Sequence, residues 1–253
     1  MPRKVREKSK TGIYHVMLRG VNGQSIFEDE ADCEKFIEGL ETYKREIGCI
    51  IYAYCLMNNH VHLLIKEGEE ELSNTMKRIG ARYVYWYNWQ YNRKGHLFQG
   101  RYKSEPVEED AYFLTVLRYI HQNPVKAGLT KDIAAYRWSS YNEYTGKERV
   151  VHTDFALDLM DKNREKAMQS FIAFHKASNG DQCLEITPPR KTISDKEIKQ
   201  LVWDKYNIAL AALPNASPTI QKEVLKYVKG LDGSSLRQLS RLTGFTVNKI
   251  YRA

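Results

Sequence analysis

Residues 48–66 read GCIIYAYCLMNNHVHLLIK, and this stretch decides the fold class. The part up to Met57 is rich in β-branched and aromatic residues, which favour a strand. Asn58-Asn59 predicts a tight turn, and residues 60–66 predict the returning strand. The stretch therefore predicts a β-hairpin in an antiparallel sheet.

The segments before and after the hairpin alternate between strand and helix patterns. Residues 12–20 predict a strand, because apolar and polar residues roughly alternate there. Residues 29–47 predict an amphipathic helix with its apolar residues on one stripe. After the hairpin, residues 70–92 are helical in period, and residues 95–108 predict a loop followed by a strand.

A further helix is predicted over residues 109–122. We expect it to stop near Asn123, because Pro124 disfavours helical geometry at the residue before it. The resulting order is β-α-β-β-α-β-α, which predicts an α+β ferredoxin-like sandwich with an antiparallel sheet.

The length of 253 residues fits one catalytic domain with an appendage. We predict a catalytic domain over residues 1–150, a helical extension and linker over 151–193, and an all-α C-terminal domain over 194–253. The linker prediction depends on residues 178–195, which contain Pro188-Pro189 and few apolar residues.

The final stretch, SSLRQLSRLTGFTVNKIYRA, has the pattern of a helix-turn-helix. Its leucines form one apolar stripe, and Gly244 stands at the predicted turn. From residue 222 to the end there are seven Lys or Arg and two Asp or Glu. This basic charge predicts DNA contacts by Thr246, Asn248 and Lys249.

Composition points to a folded protein with polyanionic partners. The chain has 39 Lys and Arg against 31 Asp and Glu, a formal net charge of +8, which favours nucleic acid as a partner. Its four cysteines form no CxxC pair, and its basic N-terminus is not followed by an apolar run. We therefore expect a soluble, cytoplasmic, nucleoid-associated protein without a membrane span.

Two short motifs carry the chemistry. His60 and His62 are two apart on a predicted strand and so share a face, which makes half of a metal site. Tyr119 and Asn123 are four apart on a predicted helix, so a nucleophilic hydroxyl would lie one turn from an amide oxygen. Taken alone, each motif is more often structural. Together they are what metal-assisted DNA nicking with a covalent tyrosine requires, with Mg²⁺ or Mn²⁺ as the metal.

Longer motifs resemble a known family. They are YHVMLRGVNGQSIF, LMNNHVHLLI, GHLFQGRYKS, RYIHQNPVKAGL and WSSY, in that order along the chain. Over roughly residues 10–145 the sequence closely resembles the REP-associated tyrosine transposases, which belong to the single-tyrosine HUH transposase superfamily.

The resemblance implies a ferredoxin-like fold and cleavage of single-stranded DNA near hairpins, through a 5′-phosphotyrosine intermediate with a free 3′-OH. It implies that His60 and His62 are the metal-ligating pair and that Tyr119 is the nucleophile. Asn123 stands where related transposases carry glutamine, which keeps the amide oxygen but shortens its reach. Family members occur as monomers or homodimers, so both states stay open.

Further DNA contacts are predicted for basic and aromatic residues near these motifs. They are Arg19, Arg82, Arg101, Tyr102 and Lys103. His15, in the first predicted strand, could approach the histidine pair across the sheet, but we interpret it as structural.

Two other functions remain open from the sequence. One is a non-catalytic regulator that binds DNA hairpins, although the intact set of His60, His62 and Tyr119 argues against it. The other is a replication or conjugation initiator nickase with the same chemistry. Such enzymes often carry a helicase or a three-histidine motif, and neither is found here.

Overall fold

The computed structural model describes residues 6–184 and 193–253. The chain divides into two compact units, residues 1–185 and residues 186–253. Residues 185–192 of the predicted linker, which include Pro188-Pro189, lie outside the described residues. No described helix is long and apolar enough to cross a membrane.

The described part of the first unit contains one sheet and six α-helices. The strands are β1 (Ile13–Arg19), β2 (Ile50–Met57), β3 (His60–Lys66) and β4 (Lys103–Pro106). The helices are α1 (Glu30–Ile47), α2 (Leu72–Gln90), α3 (Asp110–Lys126), α4 (Tyr141–Thr145), α5 (Asp154–Asp158) and α6 (Arg164–Lys176).

The sheet is antiparallel with strand order β2-β3-β1-β4. With two helices inserted as β1-α1-β2-β3-α2-β4, this is the ferredoxin-like arrangement, so the predicted α+β fold is confirmed. Helices α1 and α2 pack on one another, for example through Phe36 and Tyr83, whose ring centroids are 5.2 Å apart. Helix α3 contacts β2 and β3, and its Tyr119 meets His15 and His62 on the opposite face of the sheet.

Local signals explain where α1 begins and ends. Asp29 caps the helix by accepting from the backbone N–H of Asp32, and the Asp32 carboxylate accepts from the backbone of Asp29. A cap of this kind typically contributes about 1 kcal/mol. The helix ends at Gly48, whose φ of 69° lies in the left-handed region that glycine adopts without strain.

Helix α3 does not stop near Asn123, as the sequence predicted, but continues to Lys126 with Pro124 inside it. Proline removes one N–H and crowds the preceding residue, yet here it stands in the last turn, where little helix remains to be disrupted. The buried ring of Pro124 and the backbone bond from Ala127 N–H to the Asn123 carbonyl, at 2.9 Å, stabilise this turn.

The outer edge of β2 is covered by a chain segment that we call the edge segment, residues 138–152. Three backbone bonds attach it: Leu56 N–H to the Trp138 carbonyl, Ser140 N–H to the Tyr54 carbonyl, and His152 N–H to the Ile51 carbonyl, at 2.8–3.0 Å. The segment begins with the WSSY motif, so this motif has a structural role at the sheet edge.

The second unit is helical in its described part, residues 193–253. It contains α7 (Asp195–Tyr206), α8 (Pro218–Lys229), α9 (Leu236–Thr243) and α10 (Val247–Arg252). Its own apolar core includes Val202, Leu213, Val224, Leu239 and Ile250. Helices α9 and α10 are joined through Gly244, whose φ is 73°.

Candidate active site

The strand register places three rows of side chains on the face of the sheet that α3 covers. Directly opposed residues of an antiparallel pair share a face. His60 lies opposite Arg19, and His62 lies opposite Met17. His15 lies opposite Leu64 on one side and Glu105 on the other. The predicted histidine pair therefore faces α3.

His60 is held by the hairpin turn that precedes it. The Asn59 side chain donates from Nδ2 to the Gly23 carbonyl at 3.2 Å, which leaves its Oδ1 as an acceptor. His60 Nδ1 lies 2.7 Å from this Oδ1. His60 must then carry its proton on Nδ1, so its Nε2 is the atom left with a free lone pair.

His62 is held by His15. The two atoms His15 Nε2 and His62 Nδ1 are 2.9 Å apart, and both rings are almost completely buried. The ring centroids of His60 and His62 lie 5.0 Å apart. With Nδ1 engaged in each ring, Nε2 is the ring nitrogen through which either member of the pair would ligate a metal.

All three imidazoles are neutral near pH 7. Burial lowers the pKa of His15 to about 3. Burial also lowers the pKa of His60 to about 4, with the Asn123 side chain acting in the opposite direction and the Arg19 charge lowering it further. Burial, with the neighbouring His15 and His60, holds the pKa of His62 well below its usual range. Neutral imidazole is the form that ligates metals.

Tyr119 approaches the histidines from α3. Its ring centroid lies 5.6 Å from that of His62 and 5.8 Å from that of His15, in edge-on contacts. The side chain is 4% exposed, so the apolar surroundings exclude bulk water from most of the ring. The predicted nucleophile and the predicted ligand pair therefore meet, although they come from different elements.

Asn123 and Lys126 extend this face of α3, because residues four and seven positions apart lie on one stripe. Asn123 contacts His60, and its Nδ2 atom is buried without a hydrogen-bond partner among the described residues. Lys126 Nζ lies 5.0 Å from the centroid of the Tyr119 ring. The set thus combines a hydroxyl, two imidazoles, an amide and a cationic amine. Among the described residues, no group of three or more His, Cys, Asp and Glu is arranged to hold a metal.

The residues predicted to contact DNA lie at different distances from the candidate site. Arg19 and Lys103 lie on the sheet face that α3 covers, in the rows of His60 and His62. Exposed Arg101 and half-buried Tyr102 line a cleft of about 730 Å³ beside β4. Arg82 is exposed on α2 and lies against Gly39 of α1, so it is on the other side of the sheet from Tyr119.

The remaining predicted contacts lie in the second unit. Thr246 caps α10 by accepting from the backbone N–H of Lys249, at 3.4 Å. Thr246, Asn248 and Lys249 are all exposed. The Lys249 ammonium lies 3.8 Å from the centroid of the Phe245 ring.

Residues 8–123 match the family of IS200-like transposases. This segment contains β1 to β4, both histidines, Tyr119 and Asn123, so the resemblance stated from the sequence is confirmed. This part of the first unit is therefore similar to the IS200-like transposases. No curated protein matches the chain at a significant level.

One solved structure supports the fold, and a second is similar over a smaller part of the chain. The structure of a REP-associated tyrosine transposase bound to a REP hairpin is similar with a TM-score of 0.50 and 18% identity, over 60% of this chain and 92% of that one. A putative transposase from Deinococcus radiodurans R1 is similar with a TM-score of 0.34 and 17% identity, over 48% of this chain and 97% of that one.

Four side chains lie beside the site that the sequence did not assign to it. His15 was interpreted as structural, but it contacts His62. Asn59 and Glu105 had no assigned role beyond the turn and the strand. Lys126 is seven residues after Tyr119, a spacing that would have indicated a shared helix face if α3 had been predicted to continue past Pro124.

Proposed function

We propose that the protein is a metal-dependent single-stranded DNA endonuclease and strand transferase, a transposase that forms a 5′-phosphotyrosine intermediate at hairpin-containing repeats. Tyr119 is the nucleophile, and His60, His62 and Asn123 are the metal-ligating set. The observation that carries the proposal is the meeting of Tyr119 with His62, at 5.6 Å between ring centroids, on the face where His60 and Asn123 also lie.

The donor set fits Mg²⁺ or Mn²⁺. Two neutral imidazoles ligating through Nε2 and one amide would leave further coordination positions for phosphate oxygens and water, and imidazole suits Mn²⁺ better than Mg²⁺. The Asn123 side chain is hydrogen-bonded to His60, and this proximity supports its amide as the third ligand. A bound cation would neutralise charge on the scissile phosphate.

The chemical step is a phosphoryl transfer. The Tyr119 hydroxyl oxygen attacks the scissile phosphorus and loses its proton, and the bond from phosphorus to O3′ breaks. The released O3′ takes up a proton and becomes a free 3′-OH. The 5′-phosphotyrosine retains the energy of the cleaved bond, so a 3′-OH of another strand can reverse the step and join the ends. Lys126, beside the Tyr119 ring, stabilises negative charge on the phenolic oxygen and the phosphate.

The DNA strand would reach this site along β4. Arg101 and Lys103 supply positive charge there, and Tyr102 offers a ring for stacking, although the Arg6 guanidinium already lies 3.8 Å from its centroid. In the second unit, α9 and α10 would act as a helix-turn-helix that contacts duplex DNA through Thr246, Asn248 and Lys249. We place the protein in the cytoplasm with the nucleoid, as a monomer or a homodimer.

The decisive experiment is adduct formation. Single-stranded oligonucleotides taken from repeats that flank the gene, labelled at the 5′ or the 3′ end, are incubated with the protein and Mn²⁺ and run on a denaturing protein gel. We expect a covalent adduct with the 3′-labelled strand, which disappears after chelation and in Tyr119→Phe. His60→Ala and His62→Ala should weaken it strongly.

The matched control is Tyr141→Phe, because Tyr141 is a buried tyrosine that packs on His121 and is not part of the site. This variant should form the adduct like the wild type. Tight hairpin binding without any adduct, over several repeats and metals, would refute the enzymatic proposal and favour the non-catalytic regulator.

A further inference from the structure

Three side chains form a diagonal path across the face of the sheet that α3 covers. They are Glu105 on β4, His15 on β1 and His62 on β3, and these strands are direct neighbours in the order β3-β1-β4. We propose that Glu105 and His15 form a hydrogen-bonded chain that keeps Nε2 of His62 unprotonated and available to a divalent cation. The proposal rests on the proposed metal-dependent function and adds two positioning residues to it.

The inner link of the chain is present in the structure. His15 Nε2 and His62 Nδ1 are 2.9 Å apart, and the two rings are 0% and 1% exposed, so water does not compete for this bond. A hydrogen bond between two neutral imidazoles needs one donor and one acceptor. Two arrangements are therefore possible, and they differ in which nitrogen of His62 keeps its proton.

The first arrangement makes His62 a metal ligand. If His62 donates from Nδ1 to Nε2 of His15, then Nε2 of His62 has a free lone pair, and His15 carries its proton on Nδ1. In the second arrangement His15 donates from Nε2, and His62 must carry its proton on Nε2, where it blocks ligation. Metal-ligating histidines commonly use the other ring nitrogen to donate to a fixed acceptor, which sets the tautomer.

Glu105 favours the first arrangement. Its Oε2 atom and the Nδ1 atom of His15 are both buried without a hydrogen-bond partner among the described residues. They belong to directly opposed residues on β4 and β1, whose Cβ atoms are about 5 Å apart in such pairs. A small side-chain rotation would let the carboxylate accept from Nδ1–H of His15. A carboxylate only accepts, so it selects the tautomer of His15 that in turn accepts from His62.

Helix α3 contributes a hydrogen bond to the Glu105 carboxylate. The Tyr112 hydroxyl, near the start of α3, is hydrogen-bonded to Glu105. The chain therefore begins on the helix that carries Tyr119 and ends at His62, beside Tyr119. For His60, the acceptor at Nδ1 is the Asn59 side chain, at the turn between β2 and β3.

The first test measures the tautomer in the full-length, unmutated, metal-free protein. Long-range ¹H–¹⁵N correlation spectra of ¹⁵N-histidine-labelled protein report which ring nitrogen carries the proton. We expect His62 to be protonated on Nδ1. In Glu105→Gln the amide can donate to His15, so the second arrangement becomes available and the Nε2–H form of His62 should increase. An Nε2–H form of His62 in the wild type would overturn the proposal.

The second test measures Mn²⁺ affinity by the electron paramagnetic resonance signal of free Mn²⁺, without DNA. His15→Leu should weaken binding by about 10- to 100-fold, the usual effect of removing such an outer partner. His15→Gln, which can place an amide oxygen near the former Nε2 position, should recover part of this loss.

The matched control is His175→Leu. His175 is also a fully buried histidine whose Nε2 lies 3.0 Å from Nδ1 of a second histidine, His121, but this pair is not part of the site. This variant should lose stability and keep its Mn²⁺ affinity. Equal affinity in folded His15→Leu and the wild type would overturn the proposal. Absence of Mn²⁺ binding in the wild type would instead refute the proposed metal dependence, while the tautomer measurement would still decide whether the chain exists.

Discussion

The ion pair between Arg118 and Asp181 attaches the end of the first unit to the outer side of α3, and its removal should be measurable. Arg118 Nε and Nη2 donate to the two Asp181 carboxylate oxygens at 2.7 and 2.8 Å. The side chains are only 12% and 9% exposed. The Arg118 guanidinium also lies 3.9 Å from the centroid of the Phe174 ring. In Asp181→Asn this buried cation loses its counter-charge.

The expected loss follows from burial. Breaking a buried pair by removing one partner costs about 3–5 kcal/mol, and we expect about 3 because each side chain keeps some solvent contact. With a urea dependence of about 2 kcal/mol/M, the midpoint should fall by about 1.5 M. The lysine at position 8 provides the control. Lys8 and Glu71 are 2.8 Å apart but 81% and 63% exposed, so Lys8→Met should leave the urea midpoint almost unchanged.

Urea unfolding monitored by tryptophan fluorescence measures this effect. Trp203 is in the second unit, and the other three tryptophans are in the first, so the series is made in a Trp203→Phe background. The double variant Arg118→Met/Asp181→Leu should recover most of the stability, since apolar groups replace both charges. A midpoint shift in Asp181→Asn no larger than that in Lys8→Met would refute the reasoning.

Three further predictions concern the site, its pH range and DNA binding. Lys126→Met should slow formation of the proposed tyrosine adduct about tenfold, equivalent to ~1.4 kcal/mol. Lys131→Met, on the loop after α3, should leave the rate unchanged. Equal rates for the two variants would exclude a role for the Lys126 charge. Burial lowers the pKa of His175 to about 4 from an ordinary value near 6.5, so the unfolded chain binds the proton first as pH falls. Stability is then fully present above pH 6.5 and decreases between pH 6.5 and about 4, by at most about 1.4 kcal/mol per pH unit from this group, and urea midpoints of His175→Leu should decrease less steeply over that range. Arg101→Ala should weaken single-stranded DNA binding and lower the slope of log affinity against log salt by about 0.7, as expected for one lost phosphate contact, and an unchanged slope in a salt titration would contradict that role.

The sheet and its first helices could be predicted because their signals are local. The β2–β3 hairpin follows from β-branched residues on either side of Asn58-Asn59, and α1 from its apolar stripe and acidic start. Tyr119 and His62 are also close together, as predicted. Alternate residues of a strand lie on one face, and residues four apart on a helix lie on one face, so each motif could be assigned to a single surface.

The rest depended on contacts between distant parts of the chain. The contact of His15 with His62 could not be predicted, because it depends on the register in which β1 pairs with β3, and no local pattern gives a register. The end of α3 was predicted wrongly because the rule for residues before proline treats Asn123 in isolation, whereas packing of the buried Pro124 ring decides the outcome. Because α3 was expected to end near Asn123, Lys126 was not expected to share a helix face with Tyr119.

The edge segment over residues 138–152 also determines how the sheet can behave toward other chains. A bare outer strand offers unpaired backbone groups to any neighbouring strand, and β2 is the longest and most apolar strand of this sheet. With Trp138, Ser140 and His152 bonded to it, β2 has no free partner sites at those positions. The opposite margin, β4, is only four residues long, begins with an exposed lysine and ends in proline. Both margins of the sheet are thereby protected against pairing with further strands, and we expect a truncation that detached the edge segment to make the first unit prone to self-association.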